Sequence, residues 1–137
     1  GQLGRNLWLH VSDVMHRLNE VAWVGPETSL REVVIAMTER PLGATCVVDT
    51  DFHLLGFITD GDVRRVLQIH DDIRPLQAKH VMTTLPVSVF SNATLKEAVQ
   101  LMEDRPSQIS VLPVKDPESN CCLGLIRIHD IYQANLK

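Results

Sequence analysis

Apolar positions along this chain switch between a helical and a strand spacing, and the switching occurs twice. Leu30, Val33, Val34 and Met37 fall at i, i+3, i+4 and i+7, one stripe of a helix. Ser29-x-x-Glu32 opens that helix as a capping box, in which hydroxyl and carboxylate satisfy orphan amides reciprocally. Pro41 ends it, because proline disfavours helical backbone at the preceding residue. Residues 45–48 and 54–59 then read as β-strands on either side of the turn Asp49-Thr50-Asp51. Val63, Val66 and Leu67 mark the apolar face of a second helix, and Ala22 to Val24 supply a short strand ahead of the first.

The same plan returns downstream. Thr94-x-x-Glu97 caps a helix with the stripe Leu95, Ala98, Val99 and Met102, stopped near Pro106. Strand-like runs follow at 109–114 and 123–128, separated by the turn residues Asp116 to Asn120, and Ile131 and Ala134 face the last helix inward. Short landmarks pair the two halves in one order. Asp13-Val14-Met15-His16 matches His80-Val81-Met82-Thr83, Leu30-Arg31-Glu32 matches Leu95-Lys96-Glu97, and Arg40-Pro41 matches Arg105-Pro106. Gly56-Phe57-Ile58 with Asp62-Val63 matches Gly124-Leu125-Ile126 with Asp130-Ile131. The offsets are 67, 65, 65 and 68 residues. The chain is therefore one α/β (α+β) unit written twice, β-α-β-β-α in each copy. One copy of about 60 residues buries too little surface to be comfortable alone. The expectation is two copies packed as a pseudo-two-fold pair, sharing a core and creating paired clefts.

Composition adds limits to this picture. Apolar residues make up 45% of the 137 and charged residues 22%, ordinary for a globular protein. A formal charge of −4 leaves no basic footprint for nucleic acid. No apolar run reaches the ~18 to 20 residues needed to span a bilayer, and no signal-peptide pattern opens the chain. Three cysteines without a secretory pattern read as reduced thiols in a cytoplasmic protein. The chain opens on Gly1 and is at once rich in Leu and Trp, which reads as a piece of a longer polypeptide.

The chemistry concentrates where a strand runs into a helix, at Gly56-Phe57-Ile58-Thr59-Asp60-Gly61-Asp62-Val63-Arg64-Arg65. A helix N-terminus presents unpaired amides and a positive dipole end, so it attracts acceptors and anions. Thr59 offers a hydroxyl, Gly61 a bare backbone that a ligand can approach, and Asp62 a carboxylate for vicinal hydroxyls. That set suits a sugar phosphate or nucleotide and does not suit a metal cage. The plainer alternative is that Asp60 and Asp62 only cap the helix. Arg64 and Arg65 can reach a phosphate, form salt bridges or face solvent.

The doubled β-α-β-β-α unit with Gly-h-h-Thr-x-x-Asp at the last strand-to-helix junction resembles a CBS domain pair, or Bateman module. That resemblance implies a small-molecule ligand such as an adenine nucleotide, with Thr59 and Asp62 on its ribose and phosphate. It also implies that backbone near Pro86 and Val87 and near Ile109 and Ser110 completes the first cleft. The second cleft would use Asp130, with His129 beside it, and strand edges near Ala22 to Val24 and Ala44 and Thr45. There the pattern breaks. Arg127 occupies the position of Thr59, so the second cleft would take a more anionic ligand or none.

A narrower resemblance lies in Leu3-Gly4-Arg5-Asn6-Leu7-Trp8-Leu9, the following Val11-Ser12-Asp13-Val14-Met15-His16, and TDGDVRR. These look like the CBS region of arabinose-5-phosphate isomerases of the sugar-isomerase (SIS) superfamily. On that resemblance, residues 1–10 form a connector from a catalytic SIS domain, 11–69 and 80–137 are the two CBS repeats, and 70–79 link them. The family's reaction interconverts ribulose 5-phosphate and arabinose 5-phosphate, a precursor step to Kdo and lipopolysaccharide. The chain by itself would be a regulatory domain without isomerase activity. It would need no cofactor, bind CMP-Kdo, CMP or an adenine nucleotide, and associate as a homodimer. The alternative is a structural dimerisation module with vestigial clefts.

Other polar residues carry less. No His-x-x-x-His or Cys-x-x-Cys is present, and the six histidines read as exposed or capping, with His129 set apart by its neighbour Asp130. Met15 and Met82 read as core fillers. Trp8 reads as packing on the module or on a preceding domain. Cys46 lies in an apolar strand without a base beside it, which argues against a nucleophile.

Overall fold

The computed structural model describes residues 6–135, so the Leu3-Gly4-Arg5 part of the connector lies outside the described residues. In chain order the elements begin with β1 (His16–Arg17), β2 (Ala22–Val24), α1 (Leu30–Glu39), β3 (Ala44–Val48), β4 (Leu54–Thr59) and α2 (Asp60–Ile69). They continue with α3 (Ala78–Val81), β5 (Thr83–Thr84), β6 (Val89–Phe90), α4 (Leu95–Glu103), β7 (Val111–Lys115), β8 (Cys122–Arg127) and α5 (Ile128–Asn135). The doubled α/β plan expected from the spacing is present. Each copy also carries a short strand ahead of it, β1 or β5, and α3 starts within the expected 70–79 linker.

Two four-stranded sheets form, in the orders β2-β3-β4-β5 and β1-β8-β7-β6. The compact units do not coincide with the sequence repeats. Among the described residues, one comprises residues 18–86 and the other residues 6–17 with 87–135. Each repeat gives its leading strand to the sheet of the other: β5 pairs antiparallel with β4, and β1 with β8.

This exchange accounts for the glycine that opens each strand-to-helix motif. Gly56 is the register partner of Thr84, and a Cβ there would run into the Met82 side chain. Gly124 is the register partner of Arg17, and a Cβ there would strike the His16 carbonyl. Gly124 also has φ +149°, in the region that side chains disfavour.

The 18–86 unit encloses Ala22, Val24, Leu30, Val33, Met37, Val47, Ile58 and Ala78. The other unit encloses Val11 and Met15 together with Val89, Leu95, Met102, Leu112, Ile126 and Ile131. Two residues assigned to apolar faces lie outside these cores: Val34 is 36% exposed and Leu67 53% exposed. Helix α2 packs against its core through Val63 and Val66, and Leu67 lies beyond that contact.

Segments entering each helix are secured alike. In the 18–86 unit the Leu30 N–H donates to the Leu76 carbonyl at 2.9 Å. In the other unit the Leu95 and Lys96 N–H groups donate to the Leu9 and Leu7 carbonyls at 2.8 and 2.9 Å. These are orphan donors of a helix N-terminus, satisfied by carbonyls of a neighbouring loop. No helix of the described residues is long and apolar enough to cross a membrane.

Candidate functional site

In the 18–86 unit, β4 delivers Thr59 in extended backbone, φ −102° and ψ 166°, to the start of α2. The Thr59 hydroxyl accepts the Asp62 N–H at 3.3 Å and donates to Asp62 Oδ2 at 3.0 Å. Asp62 Oδ2 accepts the Thr59 N–H at 2.9 Å, closing a reciprocal capping box. Arg65 donates to Asp62 Oδ1, which keeps a second lone pair. The capping reading of this stretch is thus realised by Asp62, with Thr59 as its partner. It does not exhaust the site.

Gly61 has only ordinary contacts where a Cβ would stand: Arg65 Nη1 at 3.5 Å, the Thr59 hydroxyl at 3.7 Å and Arg64 Nη2 at 3.9 Å. Two guanidinium groups and a hydroxyl therefore border a patch of bare backbone at a helix N-terminus, where anions are favoured. Arg64 is exposed, makes no ion pair among the described residues, and lines a groove of about 200 Å3 between α1 and α2. Ala44 is the register partner of Thr59 and so lies beside the junction. Thr45 sits in β3 between β2 and β4, so its backbone belongs to the ladder. Its side-chain hydroxyl is buried without a hydrogen-bond partner. Pro86 closes the unit's C-terminal end and is half-buried.

At the matching junction of the other unit the aspartate is satisfied by the chain's own side chains. Asp130 Oδ2 accepts the Arg127 N–H at 2.9 Å, as Asp62 does from Thr59. Arg127 has no hydroxyl to return, and its guanidinium folds onto the carboxylate instead, Nε to Oδ2 at 3.2 Å and Nη2 to Oδ1 at 2.8 Å. His16, brought in by β1, places Nε2 3.0 Å from Asp130 Oδ1. Asp130 is 9% exposed. Burial opposes its ionisation, but hydrogen bonds from the Arg127 side chain, His16 and the Arg127 N–H outweigh it and hold the carboxyl below its usual range. Ser110 adjoins this junction through its carbonyl, which accepts the Ile128 N–H at 2.8 Å. Val87 and Ile109 pack against the core of this unit.

A cavity of about 670 Å3 opens at this junction, lined by Arg127, His129 and Asp130 together with Asn6, Leu9 and Val14. Its volume is within the range of small-molecule sites. Reading the sequence gave Asn6 no role beyond the connector and read His16 as exposed or capping, whereas His16 meets Asp130. Of the outcomes open to Arg65, it makes the ion pair, with Asp62. His16 and Arg127 differ from their counterparts Thr83 and Thr59, and the mismatch between copies at both positions is the one local trace of their contact.

Asp49, Asp51 and His53 also gather, in the turn between β3 and β4. Asp49 accepts the Asp51 and His53 N–H groups at 2.9 Å each, which is what a tight turn requires of an aspartate. Its carboxyl is held below its usual value chiefly by the His53 N–H. Cys46 is buried in β3.

Comparison with known proteins matches the CBS domain family to residues 11–69 and 78–137. The chain is 36% identical over 136 residues to the arabinose 5-phosphate isomerase KdsD of Yersinia pestis, covering 99% of this chain and 40% of that protein. It thus spans well under half the length of that relative. Among solved structures it is similar to CBSX2 in complex with AMP, with TM-score 0.79, 22% identity, and 93% and 96% of the two chains covered. It is similar also to the CBS domain pair of protein MJ0100 in complex with 5'-methylthioadenosine and S-adenosyl-L-methionine, with TM-score 0.78, 18% identity, and 91% and 98% covered.

Proposed function

The chain belongs to the CBS domain family as a tandem pair, and on that premise we propose that it is a ligand-sensing regulatory module of an arabinose-5-phosphate isomerase. The observation that carries the reading is the bare Gly61 backbone bordered by the Thr59 hydroxyl and the Arg64 and Arg65 guanidinium groups. A phosphate on that backbone would meet amides, a dipole end and two cations, while the remaining lone pair of Asp62 would accept from a sugar hydroxyl. The ligand is a nucleotide or nucleotide sugar: an adenine nucleotide, in keeping with the AMP complex of CBSX2, or CMP or CMP-Kdo, in keeping with the KdsD relationship.

The isomerisation of ribulose 5-phosphate to arabinose 5-phosphate belongs to the SIS domain of such an enzyme. In the proposal this cytoplasmic module biases that domain by binding one of its states more tightly. The module associates as a homodimer through apolar residues left exposed on its helices, such as Val34, Ile35 and Leu67 of the 18–86 unit. A purely structural role is the second reading. It is favoured by one observation, that Thr59 and Asp62 already satisfy one another.

Thermal unfolding with AMP, ATP, CMP, CMP-Kdo and arabinose 5-phosphate separates the two readings. A ligand at 100 times its dissociation constant adds about 2.7 kcal/mol, a shift of several degrees. The sensor reading expects such a shift for one ligand and its loss in Asp62→Ala. An unshifted melt with every ligand leaves only the structural role.

A further inference from the structure

At the end of β3 remote from Thr59 lies a groove that neither junction uses, and we propose that it binds a small organic cation with an alkylammonium head. Register fixes its place: Ala44 is paired with Thr59 at one end of the β3–β4 ladder, and Val48 with Leu54 at the other. The groove has a volume of about 630 Å3, within the range of small-molecule sites. Trp23, Pro26 and Val48 give it an apolar lining, and the carboxylates of Glu27 and Asp49 line it as well. Among the described residues no lysine or arginine lines it.

The lining is held by its neighbours. Trp23 stands in β2 between the buried Ala22 and Val24 and is 46% exposed. The Phe52 ring meets it edge-on, with 5.0 Å between centroids and 65° between planes. Phe52 does so from backbone at φ +64°, a conformation rare for an aromatic residue. Asp49 secures that turn by accepting the Asp51 and His53 N–H groups at 2.9 Å each. Across the groove, the Pro26 and Thr28 carbonyls accept the Lys79 and Ala78 N–H groups of α3 at 2.9 and 2.8 Å. The site is therefore preformed on both sides.

The other unit shows what such a position attracts. Val24 with Val47 and Val89 with Val114 are equivalent register pairs of the two sheets. One residue further along, the other unit pairs Phe90 with Lys115, whose ammonium lies 5.6 Å from the Phe90 ring centroid. That is a cation–π contact made within the chain. The 18–86 unit carries Gly25 and Val48 at those two positions, so it has neither the ring nor the lysine that fill the space elsewhere. What it offers instead is the half-exposed Trp23 ring, with the negative charge of Glu27 and Asp49 beside it. The ring and the carboxylates select a positive charge, and the apolar lining selects one that carries alkyl groups.

Nitrogen–proton correlation NMR of this chain tests the proposal, because its two tryptophans give two indole N–H signals. Trp8, in the other unit beside Lys96, is the internal control. The probes are choline and dimethylbutanol, its uncharged isostere with carbon in place of nitrogen. Choline is expected to move the Trp23 signal alone and to bind about tenfold more tightly than the isostere. Gly25→Phe introduces the ring found at that position of the other unit and should abolish the shift. Its Cβ meets nothing closer than the Thr28 hydroxyl at 3.9 Å, so the fold accommodates it. Glu27→Gln, on an exposed residue, should weaken choline about twofold and leave the isostere unchanged. A Trp23 signal unmoved by choline, matched movement at Trp8, equal affinity for the isostere, or full affinity in Gly25→Phe overturns the proposal. None of these results bears on the nucleotide reading at Gly61, which the melting experiment decides separately.

Discussion

The two strand-to-helix junctions share one backbone device and differ in what surrounds the aspartate. At Thr59 the carboxylate of Asp62 is met by the residue that precedes the helix and by Arg65 one turn later, all from a single stretch of chain. At Arg127 the carboxylate of Asp130 is met by the corresponding residue and by His16, 114 positions away. One hydroxyl exchanged for a guanidinium separates a junction that leaves bare backbone accessible from one whose aspartate is buried and saturated. Repetition of a motif thus preserves the capping geometry without preserving the ligand chemistry.

The sharpest contrast is expected at the paired glycines. Gly124→Ala should cost about 3 kcal/mol or more, because the new Cβ meets the β1 backbone and φ is unfavourable. Gly56→Ala should cost about 1 to 2 kcal/mol, because the obstacle is the flexible Met82 side chain. Denaturant unfolding of the two variants measures the difference, and equal costs would remove the distinction between the exchanged strands.

Asp130→Ala should destabilise by about 2 kcal/mol, since Arg127 and His16 lose their shared acceptor while remaining partly solvated. Asp62→Ala should cost about 1 kcal/mol, the loss of a helix cap. Their pH dependence sharpens the comparison. The folded pKa of Asp130 lies below the unfolded value of about 3.9, so its contribution is complete above that value and disappears as pH falls through the folded one. The stability gap between wild type and Asp130→Ala should therefore narrow below about pH 4 in acid titrations followed by circular dichroism.

Arg127→Thr should lower stability by about 1 kcal/mol and make the second junction resemble the first. Calorimetric titration with AMP would register this as a second binding event.

The smallest effect on stability, and the most informative on function, is expected from Gly61→Ala. A methyl there meets only ordinary contacts, so the helix should gain about 0.5 kcal/mol. The same methyl covers the backbone on which a phosphate would sit, and the ligand-induced shift in melting temperature should vanish. A variant that is more stable and still binds would show that Gly61 serves the helix alone.

Much of this was legible from short-range order. Ser29, Thr94, Pro41 and the i, i+3, i+4, i+7 stripes delimit α1 and α4, because capping and amphipathicity act over fewer than ten residues. The capping role of Asp62 was open to view for the same reason. The shorter strands β1 and β5 were not, since two residues carry no period. Val34 and Leu67 were placed inward because spacing identifies a face without saying how much of it a neighbour covers.

The sequence by itself determined that one β-α-β-β-α unit occurs twice, that each copy ends on a strand feeding a helix through Gly-h-h-x-x-x-Asp, and that Arg127 breaks the match. Only the tertiary structure decided that the leading strands change places, that Gly56 and Gly124 make room for them, and that His16 arrives at Asp130. Local elements follow from backbone hydrogen bonding and spacing within one segment. A contact closed across more than a hundred residues follows from how completed elements pack, and a single side chain such as His16 bears no mark of the partner it will meet.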